Sequence, residues 1–341
     1  MNLMEISKKD FEAFVDTLLQ GDAEVDGVVR KESQFAYEKL ESADDLCLDY
    51  DETILPPKKF FFPVEEALLS FKTNDPSSYK EVREVQKRVL IGVHPGDLAA
   101  IALLDKAFSE GQSDVHYLEK RENTTIIGMY PTVPFKYRFS SAMVRDEYYQ
   151  AADLMLADIG DSYGIEVVTD KGRALIEKSS ATAGSDGLAK KIEKSKTAVA
   201  DNKNLSISRD ELPGFLEGKE DHDVFMNRAD KCFSCGSCLF VCPTCYCFEV
   251  YDEVEISLQE GQRKRRWDGC MIQDFAEVAG GHNFREESAN RMRHRIFRKG
   301  KYLLERFELP GCVGCGRCAR ACVADIANPL EIINEMNGKE S

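Results

Sequence analysis

No apolar run in this 341-residue chain approaches the roughly 20 residues that cross a bilayer. The first twenty residues include Glu5, Asp10, Glu12 and Asp16 and hold no apolar core of a secretory signal. Neither membrane insertion nor secretion is expected, and the setting is read as cytoplasmic. G-x-G-x-x-G, the P-loop and G-x-S-x-G are all missing, so no dinucleotide site, phosphate cradle or hydrolase elbow is predicted. Positive charge is also short, with 45 Lys and Arg against 60 Asp and Glu and a net charge of −15. Such a surface repels nucleic acid, which is not expected as a partner. The deficit is uneven: residues 1–220 hold 28 basic against 41 acidic side chains, and residues 221–341 hold 17 against 19.

Cysteine is what the chain has in quantity, with twelve. In a reducing compartment that number points to metal ligands and away from disulfides. Eight of them form two runs of one spacing, Cys232-x2-Cys235-x2-Cys238-x3-Cys242-Pro243 and Cys312-x2-Cys315-x2-Cys318-x3-Cys322. In two-cluster ferredoxins the fourth cysteine of each such run ligates the cluster of the other. The spacing therefore predicts two [4Fe-4S] clusters, the first on Cys232, Cys235, Cys238 and Cys322, the second on Cys312, Cys315, Cys318 and Cys242. Structural zinc is the plainer alternative, but one tetrahedral ion uses two cysteine pairs and has no need of a third thiol two residues on.

Three further thiols, Cys245, Cys247 and Cys270, invite a third, open iron–sulfur site, which Cys47 or His282 would complete if four ligands are needed. Free cysteine is also a common buried residue, and these three are equally readable as packed thiols. Two basic clusters accompany them: residues 263–266, and Arg291, Arg293, His294, Arg295, Arg298 and Lys299. They suit a nucleic-acid patch or, in keeping with the acidic total, the offsetting of negative iron–sulfur cores.

Ahead of the cysteines, Phe11, Phe14, Val15, Leu18 and Leu19 recur at helical spacing behind Ser7. Strands are predicted at residues 25–29, 33–37, 89–93, 125–128, 154–156 and 165–168, an extended loop over 55–63, a helix capped by Asp97, and a short helix over 170–178. The turn His94-Pro95-Gly96 sits where α/β folds bind ligands, but one glycine reads as a turn. Overall the class is α+β: an α/β docking domain over 1–183, a polar linker with short helices over 184–221, and a mostly α-helical two-cluster ferredoxin domain over 222–341. Within the last, helical faces are expected at Trp267, Cys270, Met271, Phe275 and Val278, and again at Met292, Ile296, Leu303 and Phe307.

Cys242-Pro-Thr-Cys-Tyr-Cys247, Arg266-Trp-Asp-Gly-Cys270-Met, Ala279-Gly-Gly-His-Asn283 and Cys312-Val-Gly-Cys-Gly-Arg-Cys318 resemble one dicluster family, that of the anaerobic sulfite reductase iron–sulfur subunits and the sulfhydrogenase beta subunits. The resemblance reaches upstream through Arg121-Glu-Asn-Thr124, Ala152-Asp-Leu-Met-Leu156 and Asp158-Ile-Gly-Asp161. It implies an electron-transfer subunit of a multi-subunit oxidoreductase of hydrogenase, sulfite reductase or heterodisulfide reductase type. Its partners would be a flavin-containing NAD(P)H or ferredoxin reductase subunit and a catalytic subunit. A catalytic reductase using the Cys245, Cys247 and Cys270 site is the alternative. Family members carry a cysteine in the turn that holds Gly96 here and more in the stretch 131–142, where this chain has none.

Overall fold

The computed structural model describes residues 2–199, 201 and 205–339. In chain order its first part runs β1 (Asn2–Ser7), α1 (Lys8–Leu19), β2 (Glu24–Lys31), β3 (Gln34–Lys39), β4 (Glu65–Lys72), β5 (Asp75–Glu81), β6 (Arg88–Val93), α2 (Pro95–Ser109) and α3 (Val115–Glu122). Next come β7 (Thr124–Met129), β8 (Leu154–Asp158), β9 (Ser162–Val167), α4 (Asp170–Ile176), β10 (Thr182–Ala183) and α5 (Leu188–Lys196). The second half carries α6 (Leu212–Leu216), α7 (Val224–Ala229), α8 (Ser237–Phe240), β11 (Phe248–Val254), β12 (Glu260–Trp267), α9 (Ser288–Phe297), α10 (Leu303–Phe307), α11 (Arg317–Ala321) and α12 (Pro329–Met336).

Eight strands form one mixed sheet in the order β10-β1-β9-β8-β7-β6-β2-β3, with β2, β6, β7 and β8 parallel. Alternation along these strands feeds two cores. Val89, Ile91, Ile127, Leu154 and Leu156 point to the face covered by α1 and α4, while Leu90, Val93, Ile126 and Met155 point to the face covered by α2. Both faces of a parallel sheet must be buried, which is why these strands read as continuous apolar runs. Helix α1 starts where the sequence indicates: the Ser7 hydroxyl accepts from the Asp10 amide at 3.1 Å, an ordinary N-cap.

A second, four-stranded sheet, β11-β12-β4-β5, draws two strands from each half of the chain. The core on the α2 face likewise continues from Leu98, Leu104 and Phe108 into Trp267, Leu303, Phe307 and Val313. Residues on both sides of 183 thus share a sheet and a core. The stretch 184–221 also packs down: Leu188 and Ile192 of α5 are buried against the sheet at Gly164. Residues 202–204 of that stretch lie outside the described residues.

Three local expectations are corrected. Residues 267–278 are not one helical face: Trp267 ends strand β12, with its indole donating to the Phe62 carbonyl at 3.0 Å, and a turn follows. Asp97 does not cap α2; His94 holds that position, and both Asp97 carboxylate oxygens accept from Arg317. The stretch 55–63 is not extended throughout, because Pro57–Phe60 closes a 3-10 turn.

Candidate metal centre

Each cysteine run makes a loop that ends in a short helix, α8 in the first and α11 in the second, and the two helices pack together. The loops share backbone signs. Ser234 and Gly314, one residue before the second cysteine, have φ of +53° and +64°; Gly236 and Gly316, one residue after it, have +74° and +81°. A Cβ at Gly316 would meet the Tyr137 carbonyl oxygen at 2.6 Å, so glycine is required there twice over.

Two cavities lie beneath these loops. One is lined by Cys232, Cys235, Cys238 and Cys322. The other is lined by Cys242, Cys312, Cys315 and Cys318. Each therefore gathers three thiols of one run and the fourth of the other. Among the described residues, no three His, Cys, Asp or Glu side chains converge on a single ion position. Each cavity offers the four thiolates that a four-iron core takes. Burial pushes the Cys238 and Cys312 thiols up to about 12 and the Cys315 thiol well above its ordinary value. Left to themselves they would stay protonated, and bound iron is what lets such thiols ionise.

The cations around the cavities come from one stripe. Arg291, Arg295 and Lys299, four residues apart, are all buried along the run from α9 through a π turn at Arg298–Tyr302. Arg291 donates to the Ser234 hydroxyl at 2.7 Å and so holds the first loop. Lys299 donates to the Thr244 hydroxyl at 2.6 Å, which donates in turn to the Gly311 carbonyl at 2.6 Å, tying the end of the first run to the start of the second. Arg295 lines the second cavity, and its buried Nε has no protein acceptor. Cluster sulfur would supply one. Burial works against its charge, yet the negative charge of Cys238, Cys318 and Cys242 as thiolates holds Arg295 protonated well above its ordinary range. Of the helical basic residues singled out in the sequence, then, Arg291, Arg295 and Lys299 meet the cluster loops, while Arg293 pairs with Asp221 at 3.6 Å and Arg298 lies over the Tyr246 ring. Those of β12 are spent on neighbours: Arg263 on Asp252 at 2.7 Å, Arg266 on Glu249 at 2.7 Å, and buried Arg265 on Glu66 at 2.7 Å.

The three extra thiols line neither cavity. Cys245 lies against the Cys242 thiol, and its carbonyl accepts from buried Lys58 at 2.7 Å. Desolvation pulls that ammonium down to about 8 against the pull of nearby Cys245 and Cys242, and it stacks 4.0 Å from the Trp267 ring centre. Cys270 is buried in the core that also holds Cys238, and Cys247 is half-buried close to Cys270. Cys47 donates weakly to the Asp49 carbonyl at 3.5 Å, and His282 packs edge-on to Phe284.

Residues 231–326 match the model of the 4Fe-4S dicluster domain. Over 344 aligned residues the chain is 33% identical to the protein called sulfhydrogenase 2 subunit beta of Pyrococcus furiosus, covering 98% of each. The chain belongs to this sulfhydrogenase beta-subunit family. Its dicluster domain implies two [4Fe-4S] clusters, and the two cavities and their thiols fit that cofactor. No solved structure matches the chain.

One residue of the site was not singled out by sequence reasoning. Arg317, between Cys315 and Cys318, is 0% exposed and joins the cluster loop to the sheet. It grips Asp97 with two bonds of 2.6 and 2.7 Å, meets Glu52 at 2.5 Å and donates to the Thr53 carbonyl at 3.0 Å. The available signal was an arginine inside a metal loop, where a buried partner of opposite sign was owed.

Proposed function

We propose that this chain is the electron-transfer subunit of a cytoplasmic, sulfhydrogenase-like oxidoreductase. Its first cluster is held by Cys232, Cys235, Cys238 and Cys322 and its second by Cys312, Cys315, Cys318 and Cys242. The observation that carries this reading is the division of the eight thiols between two cavities, three from one run and one from the other. The clusters supply one-electron chemistry when bound. The chain's own residues fix the thiols, offset negative charge through Arg295 and Lys299, and exclude water from the second site, where Cys315 and Cys318 are buried. At the first site Cys235 is exposed and Phe233 and Val323 stand out to solvent, so exchange with a partner takes place there. Electrons pass between a flavin-containing NAD(P)H or ferredoxin reductase subunit and a catalytic oxidoreductase subunit. The acidic part over residues 1–183 docks these partners while it seals the second site.

Anaerobic iron and sulfide analysis should find eight of each per reconstituted chain. Cys242→Ser should damage the paramagnetic signal of the second cluster, and Cys322→Ser that of the first; the reverse pattern would overturn the ligand assignment. Cys245, Cys247 and Cys270 are read as supporting thiols, and twelve irons per chain, falling to eight in all three serine variants, would establish the third site instead.

A further inference from the structure

A cavity of about 100 Å³ lies at the carboxyl ends of β6 and β7, lined among others by His94, Gly96, Arg138, Ser140, Lys196 and Cys315. We propose that it binds one small oxyanion, seated between the N-terminus of α2 and the second cluster's ligand Cys315. This goes beyond electron transfer, since nothing in a relay of two clusters requires a ligand here.

The observation that points to a ligand is His94. Its ring is 3% exposed, lies flat on Tyr50 with centroids 4.1 Å apart, and has no hydrogen-bond partner on either nitrogen. Buried polar atoms are nearly always partnered, so an orphaned imidazole on one wall of a polar cavity calls for a ligand. A neutral imidazole donates from one nitrogen and accepts at the other. Burial keeps it neutral, holding the ring well below its ordinary protonation range. The two ring nitrogens point away from each other, so one small oxyanion serves one of them, accepting from its N–H or, as hydrogenphosphate, donating an O–H to it.

Further donors line the wall. Helix α2 is fifteen residues long and begins at the cavity; Pro95 has no amide hydrogen and the Asp97 and Leu98 amides donate to the His94 carbonyl at 2.9 and 3.0 Å, which leaves the Gly96 amide and the helix dipole to favour an anion. Gly96 leaves that backbone open; a Cβ there would reach 3.4 Å from the Ser140 hydroxyl. Arg138 rests its guanidinium on the neutral carbonyls of Val133 and Asp51, so its charge is not spent on a carboxylate hydrogen bond. Of the other charged groups on the wall, Asp97 and Glu52 pair with Arg317, Lys196 pairs with Glu166 at 3.0 Å, and Asp201 accepts from the Ser141 amide and hydroxyl at 2.7 and 2.6 Å, which leaves Arg138 as the cation for the anion to meet. An anion next to Cys315 would favour the oxidised form of the second cluster, so occupancy lowers that cluster's potential.

The test is anaerobic calorimetric titration of cluster-loaded full-length protein with inorganic phosphate, and separately sulfate, in chloride buffer. One anion should bind per chain. His94→Phe keeps a ring on Tyr50 and removes both nitrogens, and Ser140→Ala alters a half-exposed side chain with little risk to folding. Each should weaken phosphate binding by about tenfold or more. In the wild type phosphate should shift the second cluster to lower potential and leave the first unmoved, and His94→Phe should abolish the shift. Absence of saturable binding by either anion, or binding unchanged in both variants, overturns the proposal.

Discussion

Arg317→Met should destabilise the protein by about 4 kcal/mol at neutral pH, and by more as pH rises. The side chain is fully buried between Asp97 and Glu52, themselves 1% and 3% exposed, so methionine fills its volume and leaves two carboxyls facing each other without a cation. Burial already pushes Glu52 up to about 7 even with Arg317 and Arg138 beside it, and without Arg317 it moves further up. Asp97 is left as a buried acid that has lost both of its bonds to Arg317, and the two losses together should cost about 4 kcal/mol. That falls in the range of about 3–5 kcal/mol for breaking a buried pair.

The sign of the pH dependence follows from proton counting. In the variant Glu52 keeps in the folded chain a proton that the wild type releases above about pH 7, so stability relative to wild type falls as pH rises. The penalty should be least in mild acid and grow by up to about 1.4 kcal/mol per pH unit above pH 7. Anaerobic urea titrations of cluster-loaded protein from pH 5 to 8, followed by far-UV circular dichroism, read this directly. Arg317→Lys keeps the charge but loses the two-pronged grip on Asp97, and should fall between the two. A penalty below about 1 kcal/mol at pH 7, or one that grows on acidification, would refute the reasoning.

Lys299→Met removes a buried cation beside Cys242, and a unit charge about 10 Å from the cluster at an effective dielectric near 20 is worth roughly 1.5 kcal/mol. The second cluster should move about 60 mV lower by redox titration, with the first scarcely affected. Cys270→Ala should cost about 1 kcal/mol as a buried thiol in the core beside Cys238, with iron content unchanged. Gly316→Ala should prevent assembly of the second cluster selectively, seen as loss of its paramagnetic signal, because the new Cβ lies 2.6 Å from the Tyr137 carbonyl oxygen at a φ of +81°.

The parallel strands β6, β7 and β8 were legible because both faces of each are buried, which leaves short unbroken apolar runs such as residues 89–93. The second sheet was not. Strand β12, whose sequence is Glu260 to Trp267, alternates buried Gly261 and Arg265 with exposed charges, and Arg265 is buried only because Glu66 and Asp114 meet it from the other half of the chain. No local pattern contains that information. The same holds for the apolar residues after Trp267, which suit a helix by spacing and are instead collected from a strand end and a turn. The cysteine runs were legible for the opposite reason: metal ligation fixes spacing within a few residues and leaves a signature independent of tertiary context. Arg291, Arg295 and Lys299 fall between these cases, since their spacing of four marks one helix face but not that the face points inward.

The two cysteine loops are near copies in backbone, and their difference lies in what the first half of the chain adds. Around the second loop, the Phe139 amide donates to the Gly314 carbonyl at 2.8 Å, Tyr137 lies against Gly316, and Asp97 with Glu52 locks Arg317. The first loop receives no such cover, and its Phe233 and Val323 are 74% and 88% exposed. The same motif repeated twice thus yields one site open to solvent and one shielded from it, because the sheet packs on only one of them. A shielded cluster loses less of its electrostatic interaction with Arg295 and Lys299 to solvent screening, so its potential is set by the chain, while that of the open cluster is set in part by solvent. Cover of this kind also gives a physical reason for joining an α/β sheet to a dicluster motif: it is the wall of the second site.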